Sequence, residues 1–141
     1  MESEGLFAPE TEREARERFE LLAPAASEVV RAVAKEMEFG TEEYDERVTG
    51  EIIETAREAM YASLLEVHIG DYDQYEQWCE DYECEPIQMG HPEADRVVWH
   101  AVPFQETAIA ATFENEQDAA VATLRRQAFG RLYKDLLGED R

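Results

Sequence analysis

Lysine is almost missing from this chain. It occurs twice, at Lys35 and Lys134, against eleven arginines and 34 acidic residues, and the formal net charge is −21. Soluble domains of this size ordinarily carry a net charge of about 2–8 in magnitude. A surplus of one sign repels itself and destabilises the compact state at low ionic strength. The repulsion fades in salt of about 1 M, where the Debye length is about 3 Å. The acids are spread from Glu2 to Asp140 and are not gathered in a tail. Glutamate excess with lysine scarcity therefore predicts a surface adapted to multimolar salt, as in a halophilic archaeon. Such a coat makes charge a poor guide to partners, although so negative a chain still speaks against nucleic acid.

Other absences exclude whole classes of function. No apolar run approaches the ~20 residues that cross a bilayer. Met1 to Gly5 has neither the basic nor the apolar region of a secretory signal. A cytoplasmic address without a membrane partner is therefore expected. The only cysteines are Cys79 and Cys84, which a reducing cytoplasm keeps as thiols. Of the serines Ser3, Ser27 and Ser63, none lies in a Gly-x-Ser-x-Gly elbow. The seven glycines are isolated, so no phosphate-cradling loop is present. Leu65 stands three residues before His68, where a di-iron bundle would need glutamate. With 34 acidic residues, pairs such as Glu51 with Glu54 or Glu58 arise by chance and say nothing of acid–base catalysis. The chain reads more readily as a binding protein than as an enzyme.

Hydrophobic residues make up 44% of the 141 positions, enough to close one core. A single domain over residues 1–141 is expected, with 1–8 mobile. Pro9 to Ala23 has a helical pattern, and Pro24 ends it and opens a second helix. That helix carries Ala26, Val29, Val30, Val33 and Met37 as one apolar stripe, with Gly40 as its stop. From Thr41 to Gly70 a longer helical face runs through Tyr44, Val48, Ile52, Ala56, Met60, Leu64 and Val67. Gly50 is the expected bend. Asp71 with Gln74 forms a capping box for a short helix holding Tyr72, Tyr75, Trp78, Cys79 and Tyr82.

After Glu85 the period changes from helix to strand. Val97–Val102 and Ala108–Phe113 alternate around Pro103–Glu106, which predicts a hairpin. Two strands are marginal alone, so a third is expected from 86–89 or from a partner chain. Asn115 then caps a last helix with Val121, Leu124, Ala128, Leu132 and Leu136 on its buried side. The predicted class is α+β. It has about five helices and a small antiparallel hairpin or three-stranded meander before the C-terminal helix.

Three groups carry chemistry. Cys79, Cys84, His91 and His100 are all zinc-ligand types and fall within a short span, so a zinc-stabilised domain is one reading. Their spacing departs from the usual paired loops, and the alternative is a buried thiol, a Gly-His-Pro turn and a hydrogen-bonded strand histidine. A thiol nucleophile with His91 as base lacks any recognisable motif. Tyr75 and Trp78, within the aromatic series, are candidate partner-binding residues or core aromatics. Arg125, Arg126, Arg131 and Lys134, with Arg141, gather a disproportionate share of the positive charge near the end of the chain. They suit a helix C-terminus and equally an acidic docking face on another protein or a second copy.

The stretch Arg96-Val-Val-Trp-His-Ala-Val-Pro-Phe104 and the composition together resemble one of the small haloarchaeal families classed as domains of unknown function. The resemblance implies occurrence in salt-adapted archaea and transfers no activity, cofactor or catalytic residue. The expected function is a non-enzymatic binding or assembly module. Its self-association would run through the hairpin edge, the aromatic helix or the basic last helix. The zinc-stabilised domain, or a small enzyme with a pocket between sheet and helices, stands as the alternative.

Overall fold

The computed structural model describes residues 1–138, so Arg141 lies outside the described residues. The fold is α+β, as the sequence predicts. Its elements in chain order are β1 (Glu2–Glu4), α1 (Glu12–Leu21), α2 (Ala23–Glu36), α3 (Thr41–Arg47), α4 (Gly50–Leu64) and β2 (Val67–Asp71). They continue as α5 (Tyr72–Tyr82), β3 (Ile87–Met89), β4 (Arg96–Val102), β5 (Thr107–Phe113), α6 (Gln117–Ala128) and α7 (Lys134–Gly138). A π-helical stretch, Phe129–Tyr133, joins α6 to α7.

The sheet is five-stranded and mixed, in the order β1-β2-β4-β5-β3. β4 and β5 form the expected antiparallel hairpin, closed by a 3-10 turn at Pro103–Gln105 with Glu106 left-handed at φ 52°. The strand expected near 86–89 exists as β3, but it lies parallel to β5 and not in a meander. The chain leaves β3 and skips one strand position to reach β4; β5 later fills the gap. The crossing is held where Thr112 Oγ1 donates to the His91 carbonyl at 2.7 Å.

The largest departure from the sequence reading is β2. The helical face expected to run to Gly70 stops at Leu64, because the next residues change period. Leu65, Val67 and Ile69 are buried, while Glu66 and His68 between them are half-buried. That alternation is a strand signal. β2 pairs with β1 on one side and β4 on the other, so both strands of the β4–β5 hairpin are hydrogen-bonded on both edges. The hairpin is therefore flanked on both sides, by β2 along Arg96–Trp99 and by β3 along Ile109–Ala111.

Local chemistry sets the other boundaries. The break at Gly50 is real: Thr49 Oγ1 accepts the Ile52 N–H at 3.2 Å and starts α4 there. α6 begins at Gln117, and the residue before it, Glu116, makes no side-chain cap, so Asn115 is not the cap expected. Residues 1–8 supply β1 and Phe7, which bridges to Leu65 and packs on Tyr61 with ring centroids 5.4 Å apart. No helix among the described residues is long and apolar enough to cross a membrane.

The main core lies between the sheet and α1, α4 and α6. Val67, Ile69, Val98, Val102 and Ile109 meet Leu65, Leu124 and Tyr133 there. Tyr61 is its hub. Its ring lies within 5.8 Å of Phe129 and 5.6 Å of both Phe19 and Tyr133, and its hydroxyl donates to the Ala15 carbonyl at 3.2 Å. Arg57 covers the outer face of Phe19 at 3.7 Å from the ring centroid, a cation–π contact. Tyr61→Ala is expected to lower unfolding free energy by about 3–5 kcal/mol. Tyr61→Phe, which removes only the hydrogen bond, is expected to cost about 1 kcal/mol. Urea titration at fixed KCl measures both, and equal losses would remove Tyr61 as the packing hub.

Candidate functional site

A second, smaller core sits on the opposite face of the sheet, under α5. Asp71 and Gln74 make the predicted capping box: Asp71 Oδ1 accepts the Gln74 N–H at 2.8 Å, and Gln74 Oε1 accepts the Asp71 N–H at 3.0 Å. The cap aims α5 across the sheet. Tyr75 then packs with Val97, Trp99 and Ala110, flanked by Tyr72, Trp78 and Cys79. Trp99 is fully buried, with its ring 5.3 Å from Tyr75 and 5.9 Å from Trp78. Gly70 keeps this seam open: a Cβ there would collide with the Gln74 side chain and press on the Trp99 ring.

Tyr75 and Trp78, singled out as partner-binding candidates, therefore face the sheet. Tyr75 is buried, and Trp78 is half-buried and stacked on Tyr82 at 4.5 Å. Tyr72 reaches the rim and exchanges hydrogen bonds with Gln88 at 3.2–3.4 Å. The Tyr75 and Tyr82 hydroxyls and the Trp99 Nε1 are buried without a hydrogen-bond partner. Tyr75's hydroxyl lies beside the Cys79 thiol but falls short of hydrogen-bond geometry.

The expected zinc set does not assemble. Side chains alternate along β4, so with Trp99 pointing to α5, His100 must point to the helices on the other face. Cys79 stays on the α5 side, and His91 lies in an exposed loop where its Nδ1 accepts the Glu93 N–H at 3.2 Å. Among the described residues, no group of three or more His, Cys, Asp or Glu side chains is placed to hold a metal ion. Cys79 and Cys84 are both free and half-buried. Burial pushes both thiols up; the Tyr75 hydroxyl beside Cys79 partly offsets this, while Glu76 pushes Cys79 further and Cys79 pushes Cys84. A nucleophilic cysteine needs the reverse, a thiol lowered toward thiolate by a base or cation.

The basic end divides in two. Arg125 is half-buried and committed internally: Nε donates to the Leu65 carbonyl at 2.9 Å and Nη2 to the Glu4 carbonyl at 3.3 Å. It clamps α6 to the strands β1 and β2 at their shared end. Arg126, Arg131 and Lys134 are exposed. The first two donate along their own helical stretch, to Thr123 and Gln127.

One buried side chain is a histidine that the sequence reading assigned to metal. His100 is 1% exposed, with Nδ1 2.6 Å from the Glu66 carbonyl and Nε2 2.7 Å from the Tyr133 hydroxyl. These partners fix its tautomer: Nδ1–H donates to Glu66, and Nε2 accepts from Tyr133. Burial, opposed by the bond to Glu66, holds its pKa down at about 4. Both nitrogens are used, so the imidazole serves as a neutral crosslink between β4, the end of α4 and the π-helical stretch.

The exposed helix α2 is the feature missed by the sequence reading. Its stripe was read as one apolar face, but the structure splits it. Ala26 and Ala34 are buried against the body and Val30 is half-buried, because alanines let α2 approach α4 closely. Val29, Val33 and Met37 are instead 47%, 53% and 61% exposed. Leu21, the last residue of α1, is 69% exposed, and Ile52 of α4 is 48% exposed. Elsewhere the surface has open grooves, one of about 450 Å³ beside Ala62, Ser63 and Arg125 and one of about 420 Å³ beside Phe113 and Ala120. Neither is lined by a cysteine or a histidine.

Fold and surface together define a small α+β domain built on two cores, with its polar groups spent on holding elements together. The chain belongs to the family of unknown function DUF5809, which matches residues 6–134. No curated protein and no solved structure matches it.

The His100 crosslink gives a pH dependence of fixed sign. Its folded pKa of about 4 lies below the ordinary 6.5, so between these values the unfolded chain takes a proton that the folded chain refuses. Stability present above pH 6.5 is lost as the pH falls, by about 2.5 kcal/mol at about pH 4.5. His100→Gln lacks this loss, so its stability deficit relative to wild type is expected to narrow by that amount from neutral to acid pH. Urea titrations at matched KCl measure the gap, and a gap that stays constant would assign His100 an ordinary proton affinity.

Proposed function

We propose that this DUF5809 domain is a non-enzymatic assembly module of a salt-adapted archaeon, acting in the cytoplasm by pairing with a second copy through α2. The observation that carries the proposal is the exposed row Val29, Val33 and Met37 along α2, a helix without net charge. α2 holds Glu28 and Glu36 against Arg31 and Lys35, whereas α5 holds four acids and no base. Contiguous exposed apolar surface marks an interaction site, while single exposed residues need no explanation. The charge balance favours a copy of the same chain as the occupant. Two chains of net charge −21 repel wherever acidic surfaces meet, and a twofold contact through a neutral helix keeps those surfaces apart. α2 is about 21 Å long at ~1.5 Å per residue, which suits a modest interface.

Salt separates this reading from the other docking surface, the exposed Arg126, Arg131 and Lys134. An ionic contact between that patch and an acidic surface weakens as salt rises, whereas an apolar contact between like-charged chains strengthens as repulsion is screened. Sedimentation equilibrium from about 0.5 to about 3 M KCl is expected to give a dimer that tightens with salt. Val33→Glu is expected to yield a monomer of unchanged circular dichroism, and Arg126→Glu to leave the dimer intact. A wild-type monomer throughout that range overturns self-association. A dimer that loosens with salt and is lost in Arg126→Glu moves the contact to the basic patch.

A further inference from the structure

We infer that Cys79 and Cys84 are the site of a reversible intrachain disulfide that latches the C-terminus of α5, an inference independent of self-association. The two cysteines are the only ones in the chain, and the end of α5 brings them together. Glu83 takes the left-handed conformation at φ 56° and its N–H donates to the Cys79 carbonyl at 3.0 Å. In that helix ending the left-handed residue folds the chain back, so the residue after it, Cys84, lies over the residue at the start of the last turn, Cys79. Their thiols are close enough for one to raise the pKa of the other, and both act on the Tyr75 phenol. Both side chains are half-buried and unbridged.

Glu83 is a non-glycine residue in a left-handed turn, a conformation that carries strain. A covalent bond across the turn fixes that conformation. It also anchors the segment leading to β3. The oxidant is a hydroperoxide. The two thiols give up two protons and two electrons, the sulfur–sulfur bond forms and the oxygen–oxygen bond breaks, and with hydrogen peroxide the other product is two waters. A dithiol reductant reverses the step by exchange. Because burial pushes both thiols up, oxidation is slow at neutral pH and accelerates as the thiolate forms.

The test treats the folded protein in multimolar KCl with hydrogen peroxide at pH values from about 7 to about 10. Intact mass, peptide mapping and free-thiol counts are then read. The expected product is a single uncrosslinked chain lighter by two hydrogens, with a 79–84 bridge inside it, both thiols lost together, and full recovery on reduction. Cys84→Ser is expected to form no such product under the same treatment. Oxygen addition to separate thiols, a crosslink between chains, or unchanged mass at every pH overturns the inference. A circular dichroism spectrum before treatment establishes that each variant is folded.

Discussion

Side chains on a strand must alternate between the two faces of its sheet, and in β4 this rule organises the domain. Trp99 points one way and creates the core under α5. Val98, His100 and Val102 point the other way and join the core beneath α4 and α6. Neither face can be altered without shifting the register that sets the other. The hydrogen bonds of His100 to Glu66 and Tyr133 are therefore a consequence of where Trp99 goes. So is the separation of this histidine from Cys79.

Polar groups inside the domain work as ties between elements remote in sequence. Arg125 reaches carbonyls on either side of the first helices, at Glu4 and Leu65. Tyr61 reaches Ala15, and Gln105 donates to the Leu132 carbonyl at 2.5 Å. The Leu65 carbonyl lies between α4 and β2, outside either element, and burying such a group unpaired is costly. Such ties use the very residue types, arginine and histidine, that a sequence reading sets aside for chemistry. Their use here explains why apparent ligands and docking residues turn inward, and why the exposed apolar residues of α2 stand out.

Much of the fold was legible because it follows local rules. The capping box at Asp71 and Gln74, the interruption at Gly50 and the β4–β5 hairpin each depend on residues a few positions apart. β2 was obscured because Leu64 and Val67 continue the helical spacing of α4 by coincidence, while the competing alternation Leu65, Val67, Ile69 is only three residues deep. The parallel placement of β3 has no local signal at all, since it is fixed by β5, which follows it. For the candidate sites, the sequence grouped Cys79, Cys84, His91 and His100 as zinc-ligand types by nearness along the chain, and nearness along the chain does not say which face of a sheet a side chain takes. The left-handed Glu83 that pairs the cysteines also escapes notice, because glycine or asparagine is the residue expected there. The exposure of Val29, Val33 and Met37 was hidden by the assumption that an apolar stripe faces inward, when two alanines on the adjoining face make the contact with the body.

The two outer strands of the sheet, β1 and β3, are three residues each. A strand edge so short offers few free backbone groups on which another chain could nucleate, which is one way proteins resist edge-to-edge aggregation. In concentrated salt, electrostatic repulsion no longer keeps chains apart, and a sheet with long open edges would be prone to grow into fibres. Short rims confine any partnership to side-chain surfaces, where contact can close on itself and stop.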